Sequence, residues 1–320
     1  MIQKRSVAMV GAGNVGMAAV YAMFIKQTAG ELILIDKDNY RAEGEAMDLM
    51  HGQSFTGNIT VRAGDYPDLE NTQVVVIAAG ATQRPGEKRT DLLSRNVEIF
   101  GKIAAQLDRY APHAVIVVAS NPVDTLSYVF QELSARPKQQ VIGTGTMLDT
   151  ARFRSLLGRH YNVDPSSVHA YIVGEHGDSE VPLWSSAQIG SLSILDAKVL
   201  GKAFDATVMQ GLFEAVRDAA YDIIDRKGYT NTAIGIVIAR LVEAIVQDQK
   251  RVLTVSVRLT GEYGQKRVCL SLPCVVGLGG VEAILLPTLS AVEQEGIVAS
   301  AAFLRSNLDE IADAFKDPVG

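Results

Sequence analysis

Cysteine is nearly missing from this chain: Cys269 and Cys274 are the only two in 320 residues, and they lie close together in a Leu- and Val-rich stretch. Two thiols cannot staple a chain of this length, which excludes a disulfide framework and predicts buried free thiols. Long apolar runs are missing too, since no stretch reaches the roughly 18 uninterrupted apolar residues that a membrane span needs. Nor is there a long run of Lys or Arg; with a net charge of −6, neither nucleic acid nor an anionic membrane is an expected partner. Lys4-Arg5 followed by residues 6–24 superficially resembles a secretory signal, but Gly11, Gly13 and Gly16 interrupt it, and a cytoplasmic location is expected. No solenoid-like repeat, low-complexity tract or flexible linker interrupts the chain.

What is present is ordinary for a soluble globular protein, with 48% apolar and 21% charged residues and enough length for about two domains. Residues 6–10 are short, apolar and bounded by glycine, so they read as a strand. Gly11-Ala12-Gly13-Asn14-Val15-Gly16 then opens an Ala- and Met-rich helix, and the next apolar run, 32–35, ends at Asp36, twenty residues after Gly16. Glycines at 11 and 13 permit a tight turn and close approach of a pyrophosphate to a helix N-terminus. Gly16 permits close helix packing, and Asp36 is placed to accept both adenosine ribose hydroxyls. The carboxylate would repel a 2′-phosphate, so NAD is expected rather than NADP.

Further strands are predicted at 60–63, 74–79, 115–119 and 141–142, and helices at 39–51, 91–110 and 123–134. The continuous apolar runs at 74–79 and 115–119 suit parallel strands buried on both faces. The expected fold is therefore α/β, a doubly wound parallel (Rossmann) sheet over residues 1–144, followed by a mixed α+β substrate domain over 145–320. In that second part a helix is predicted to about residue 159, and short strands or hairpins around 169–173 and 251–276. Long helical segments are predicted at 196–225, 230–249 and 287–315.

Several polar groups stand where chemistry is plausible. Gly174-Glu175-His176-Gly177-Asp178 sets one imidazole between carboxylates and glycines, as a proton shuttle or a solvated loop histidine would have it. Asp149 and Arg152, three apart on a predicted helix, share a face. They form an exposed ion pair, or else Arg152 forks a substrate carboxylate while Asp149 orients His176. Residues 80–90, with Gln83 and Arg89, follow a parallel strand and read as a mobile lid or a solvated loop. Asn121, before Pro122, holds a ligand or shapes a turn, and Thr230 caps a helix or faces a small pocket.

Together these segments carry a resemblance. The glycine pattern with Asp36, the 83–89 loop, Ser120-Asn121-Pro122, Leu148-Asp149-Thr150-Ala151-Arg152, Gly174-Glu175-His176-Gly177-Asp178 and Gly228-Tyr229-Thr230 occur in the order seen in the lactate/malate dehydrogenase family. The chain resembles the NAD-dependent L-lactate branch of that family over nearly its whole length. Gly52-Gln53-Ser54-Phe55 departs from the family's more usual Ala- and Pro-containing stretch. The resemblance implies His176 as acid/base, Asp149 as its partner, Arg152 as carboxylate clamp and Arg89 as the lid residue that polarises the carbonyl. It places Gln83, Asn121 and Thr230 along the substrate and puts Gly11, Gly13, Val15, Gly16, Asp36, Asn121 and Ile234 against NAD, with no metal. It further implies a homotetramer, and Arg154 and His169 match the interface at which allosteric bacterial members bind fructose 1,6-bisphosphate.

Malate dehydrogenases resemble this chain but carry Arg at the place of Gln83. A neutral amide there leaves a second substrate carboxylate without a partner, so pyruvate and L-lactate are the expected substrates. The alternatives are a malate or other 2-hydroxy acid dehydrogenase, with Arg84 as the neighbouring cation, and a noncatalytic NAD-binding protein. The last predicts a damaged site, whereas every acid, base and clamp residue is present.

Overall fold

The computed structural model describes residues 5–81, 89–195 and 198–312, with Arg89 described in its backbone alone. Strands β1 (Ser6–Val10), β2 (Glu31–Ile35), β3 (Thr60–Ala63), β4 (Val74–Ile77), β5 (Val115–Val118) and β6 (Val141–Gly143) form parallel pairs in the spatial order β3-β2-β1-β4-β5-β6. That is the doubly wound order expected from the sequence. Helices α1 (Asn14–Lys26), α2 (Asn39–His51), α3 (Arg89–Tyr110) and α4 (Val123–Leu133) supply the crossovers.

The unbroken apolar strands are explained by two cores, one on each face. Val7, Met9, Val74, Val76, Val115 and Val117 enter one cluster. Their neighbours Ala8, Val10, Val75, Ile77, Ile116 and Val118 enter the other. Because side chains alternate across a strand, burying both faces makes every position apolar. Helix α1 meets the first core through Gly16, Ala19, Val20, Met23 and Phe24, an i, i+3, i+4 stripe.

The second half contains α5 (Met147–Tyr161), β7 (Val168–His169), β8 (Ile172–Val173), β9 (Val181–Pro182), β10 (Gln188–Ile189) and β11 (Leu192–Ser193). It continues with α6 (Ala206–Arg217), α7 (Ala219–Lys227), α8 (Thr232–Val246), β12 (Arg251–Thr260), β13 (Lys266–Gly277), β14 (Gly280–Ile284) and α9 (Ala291–Glu310). The antiparallel ribbon β12-β13-β14 does not form a separate sheet. It joins β6 through the Ser256–Gly143 pair and extends the parallel sheet to nine strands. Strands β7 and β8 do not pair with each other: β7 joins β10, and β8 joins β9.

Several helix boundaries differ from expectation. Within the expected 196–225 helix, residues 196 and 197 lie outside the described residues and 198–205 are not helical; the helix starts at Ala206, where Asp205 accepts the N–H groups of Thr207 and Val208, and it breaks again at Asp218. The final helix starts at Ala291, after a capping box in which Ser290 and Glu293 bond reciprocally, rather than at Pro287, and Phe315 lies outside the described residues. Asn231, not Thr230, occupies the N-cap of α8, and Lys227 Nζ donates to its amide oxygen at 2.9 Å. Both cysteines are free and buried, as the sequence predicts, and burial pushes the Cys274 thiol up to about 12.

Helix α8 crosses α1 at Gly235, where a Cβ would lie 2.6 Å from the backbone carbon of Ala18. Gly235→Ala is expected to destabilise the protein, because overpacking of about 1–3 kcal/mol exceeds the helix-propensity gain of about 1 kcal/mol. Thermal unfolding checks this: a Tm equal to or above that of the parent would mean the two helices separate without penalty.

Candidate active site

The site forms where the carboxyl ends of the parallel strands meet the second half of the chain. At the β1–α1 turn, Gly11 adopts φ +106°, and a Cβ there would lie 2.6 Å from the Ala79 nitrogen; one at Gly16 would strike the Gly11 carbonyl oxygen. Gly13 faces open space, and no side chain caps α1. The first turn therefore presents backbone N–H groups to an approaching anion. Asp36, half-buried at the end of β2, accepts the Ala12 N–H at 2.7 Å and the Asp38 N–H at 3.0 Å, which fixes its carboxylate beside the glycine turn. These features suit a dinucleotide. Val15 and Ile234 are half-buried and pack against one core cluster. Asn121 is exposed at the end of β5, and its amide oxygen accepts the Val123 N–H at 3.3 Å, so it does shape the turn before α4.

The loop at 174–178 leaves β8 with its backbone clamped on three sides. Gly174, at φ +88°, exchanges two backbone hydrogen bonds with Ser271 of β13. The Ser300 hydroxyl of α9 accepts the Glu175 N–H at 2.6 Å, and Asp124 of α4 accepts the His176 N–H at 2.8 Å. A Cβ on Gly174 would lie 3.0 Å from Ser300 Oγ, so glycine suits this position for both its φ and its packing.

So clamped, the imidazole meets Asp149 of α5: His176 Nδ1 lies 2.6 Å from Asp149 Oδ2, and Arg152 Nη1 donates to Asp149 Oδ1 at 2.9 Å. The sequence alternatives are thereby resolved in part. Asp149 and Arg152 do pair, but Asp149 is only 4% exposed and also holds the histidine. Nδ1 engaged by a carboxylate carries the proton, which leaves Nε2 for exchange with a substrate. Burial disfavours the imidazolium, yet the charge and hydrogen bond of Asp149, with Asp124 and Glu180, raise His176 to about 9. Burial likewise opposes the Asp149 carboxylate, and His176 and Arg152 outweigh it, holding that carboxyl below its usual range.

Two carboxyls escaped the sequence reading. Asp124, 2% exposed, is pushed up to about 6 by burial, against the Ser256 hydroxyl and the His176 N–H, which favour its ionised form. Glu180, 6% exposed, is pushed up to about 8 by burial and by the Asp149 charge, and its Oε1 is buried without a hydrogen-bond partner. Glu180 lies two residues beyond Asp178, so its proximity to the His176 segment is the one signal in the sequence. Asp124 follows Asn121-Pro122 in the first turn of a helix, but its partner Ser256 is 132 residues away.

Of the other expected residues, Thr230 is half-buried before α8, and Arg89 opens α3 with its side chain outside the described residues. Gln83 lies wholly outside them. Arg154 leaves the Asp149–Arg152 face, as helical spacing predicts, and donates to the Ala170 carbonyl at 2.8 Å with its guanidinium 4.8 Å from the Tyr171 ring centre. His169, exposed on β7, precedes Ala170 directly.

The geometry has counterparts in known proteins. Residues 5–143 match the model for the lactate/malate dehydrogenase NAD binding domain, and 146–315 match that for the lactate/malate dehydrogenase alpha/beta C-terminal domain. The chain is 59% identical over 308 residues to an L-lactate dehydrogenase of Salinibacter ruber, covering 96% of this chain and 98% of that one. It is 49% identical over 302 residues to an L-lactate dehydrogenase of a Synechococcus strain, covering 94% and 98%. Among solved structures, a lactate dehydrogenase from a Medee basin deep-sea metagenome library superposes with a TM-score of 0.94 at 40% identity, covering 97% of this chain and all of that one. The minor L-lactate dehydrogenase of Enterococcus mundtii gives 0.93 at 39% identity, covering 96% and 98%. With a glycine turn and Asp36 suited to a dinucleotide, a carboxylate-held imidazole, and family matches across both halves, the chain is an NAD-dependent oxidoreductase belonging to the lactate/malate dehydrogenase family.

Proposed function

We propose that the chain catalyses reversible hydride transfer between NADH and pyruvate, giving L-lactate and NAD+. The observation that carries this is the 2.6 Å contact of His176 with a buried Asp149 that also holds Arg152. NAD, when bound, supplies the acceptor and donor of hydride at C2 of the substrate. Neutral His176 takes the hydroxyl proton of L-lactate on Nε2 as the hydride leaves, and protonated His176 returns it to pyruvate. Asp149 stabilises the imidazolium in between. Arg152, whose guanidinium has five donors and gives Nη1 to Asp149, holds the substrate carboxylate. Arg89 polarises the carbonyl when the lid closes and water leaves, and Asn121 and Thr230 border the substrate. Gly11, Gly13, Val15, Gly16, Asp36, Asn121 and Ile234 hold the dinucleotide.

Support for lactate over malate comes from the neutral Gln83 and from the names of the relatives. We divide the chain into a cofactor part, 1–144, and a catalytic part, 145–320, a reading supported by family matches over 5–143 and 146–315. A cytoplasmic homotetramer is the assembly we infer. Among the described residues no helix is long and apolar enough to cross a membrane. Apolar side chains stand in solvent on α1 and α2 and just beyond, Tyr40 and Phe55 being 87% and 91% exposed, as an unfilled subunit interface would leave them. Arg154 and His169 lie against one short segment, at 154 and 169–171, and two such pairs from neighbouring subunits would surround a fructose 1,6-bisphosphate with cationic donors.

His176→Asn is expected to lower kcat by roughly 100-fold or more while NADH still binds. In the parent enzyme kcat/KM for pyruvate should fall as pH rises through about 9, where the donor proton is lost, and L-lactate oxidation should weaken below it. Steady-state rates and NADH fluorescence titration test both, and wild-type turnover in the variant would end the acid/base assignment. Gln83→Arg is expected to move preference from pyruvate toward oxaloacetate. An unchanged ratio of the two kcat/KM values would place Gln83 away from the substrate side chain. Fructose 1,6-bisphosphate is expected to lower the pyruvate KM and to bind more tightly when pyruvate is present. Superimposable pyruvate saturation curves with and without it would remove the regulatory role.

A further inference from the structure

The proposed reaction leaves Asp124 without a task, although both of its oxygens are used. Oδ2 accepts the His176 N–H at 2.8 Å, and Oδ1 accepts the Ser256 hydroxyl at 2.5 Å. Ser256 is fully buried on β12 opposite Gly143, the pair that joins the antiparallel ribbon to β6. One side chain therefore ties the first turn of α4, the seam of the sheet and the loop that carries the imidazole. A neutral Asn could make the same two contacts, accepting the N–H and donating to the serine oxygen, without the desolvation of a buried charge. The choice of a carboxylate needs a reason beyond anchoring.

We propose that Asp124 is a positioning residue for proton transfer, which anchors the His176 backbone and, as an anion, holds the imidazole in its protonated form. This rests on the reading of His176 as the acid/base. The surrounding groups leave room for such a role. Asp149 faces the ring from α5, with Arg152 bonded to it, and Glu175 and Glu180 belong to its own segment. Arg217 of α6 acts on Glu180, and Cys269 of β13, beside Asp124, is held neutral by burial. With Glu180 raised to about 8, the anions that bear most on the ring at pH 7 are Asp149 and Asp124. Asp149 already shares its charge with Arg152. Asp124 is held by a hydroxyl and a backbone N–H, and its charge acts on the histidine.

The test is the pH dependence of kcat/KM for pyruvate at saturating NADH, measured on the full chain with Asp124→Asn, Asp124→Ser and Asp124→Glu. Removing the charge in Asn is expected to move the alkaline limb down by about one pH unit, so that the rate at high pH falls about tenfold. The acid limb of L-lactate oxidation should move in the same direction. Asp124→Ser, also neutral, gives the same shift if the Asn variant does not fold, and Asp124→Glu should return the limb toward the parent. Limbs that superimpose on the parent in the neutral variants, with only Tm reduced, would overturn the proposal. His176→Asn run alongside separates the two readings. An inactive His176→Asn with unmoved limbs overturns the role of Asp124 alone, whereas an active one overturns the acid/base reading beneath it.

Discussion

A carboxylate 4% exposed to solvent, Asp149, is the constraint on which the catalytic half is built. Taking such a charge out of water costs several kcal/mol unless partners replace the lost hydration. Here Arg152 satisfies one oxygen and His176 the other. Arg152 comes at no topological expense, being three residues along the same helix. His176 comes from a loop 27 residues on, and that loop must be brought to α5 and kept there. The hydrogen bonds from Ser271, Ser300 and Asp124 do this, each from a different element of the fold. Losing either partner would leave an uncompensated buried charge, so the pocket and the stability of its surroundings rest on the same contacts.

The same clamp aligns the two halves of the chain. Hydride transfer needs the reacting carbon held against the cofactor to within fractions of an ångström. The cofactor turn lies on β1 and α1, while the imidazole lies beyond β8. Between them the sheet is continuous: β12 pairs with β6, and Gly174 bonds to Ser271 on β13, the neighbour of β12. Helix α8 adds a second tie, since Gly235 brings it into backbone contact with α1 next to Ile234. The register between the glycine turn and the imidazole is thus set by strand pairing and helix contact rather than by a hinge.

How much of this was legible follows from the range of the interactions. Local signals were sufficient for β1 through β6, since apolar runs and glycine punctuation are read within a few residues, and for Asp149 and Arg152, whose spacing already puts them on one face. The His176 segment announced itself by its odd composition. Helix starts at Ala206 and Ala291 were blurred because Asp205 and Ser290 act through one side chain in otherwise helix-compatible stretches. The merging of β12 into the sheet, and the Asp124–Ser256 contact across 132 residues, depend on tertiary packing that no local pattern encodes. Glu180 was missed for a related reason. On the chain it is one more acidic residue, and only burial beside Asp149 makes its protonation unusual.

The crowding of carboxyls around one imidazole also bears on the direction of the chemistry. Asp149, Asp124 and Glu180 all act on His176, yet in a poorly hydrated site like charges cannot all persist. The site sorts them by their partners. Asp149 has Arg152 and the ring and stays charged. Asp124, helped by a serine hydroxyl and a backbone N–H, reaches about 6 and is mainly charged at neutral pH. Glu180, with one oxygen unpartnered, reaches about 8 and is mainly neutral. The net field left on the ring is negative, which is why burial fails to drive His176 below its ordinary value and the group instead rises to about 9. At neutral pH the ring therefore carries a proton, which under the proposed mechanism is a resting state suited to reduction of a 2-oxo acid, whereas oxidation of the hydroxy acid must first strip that proton from the ring.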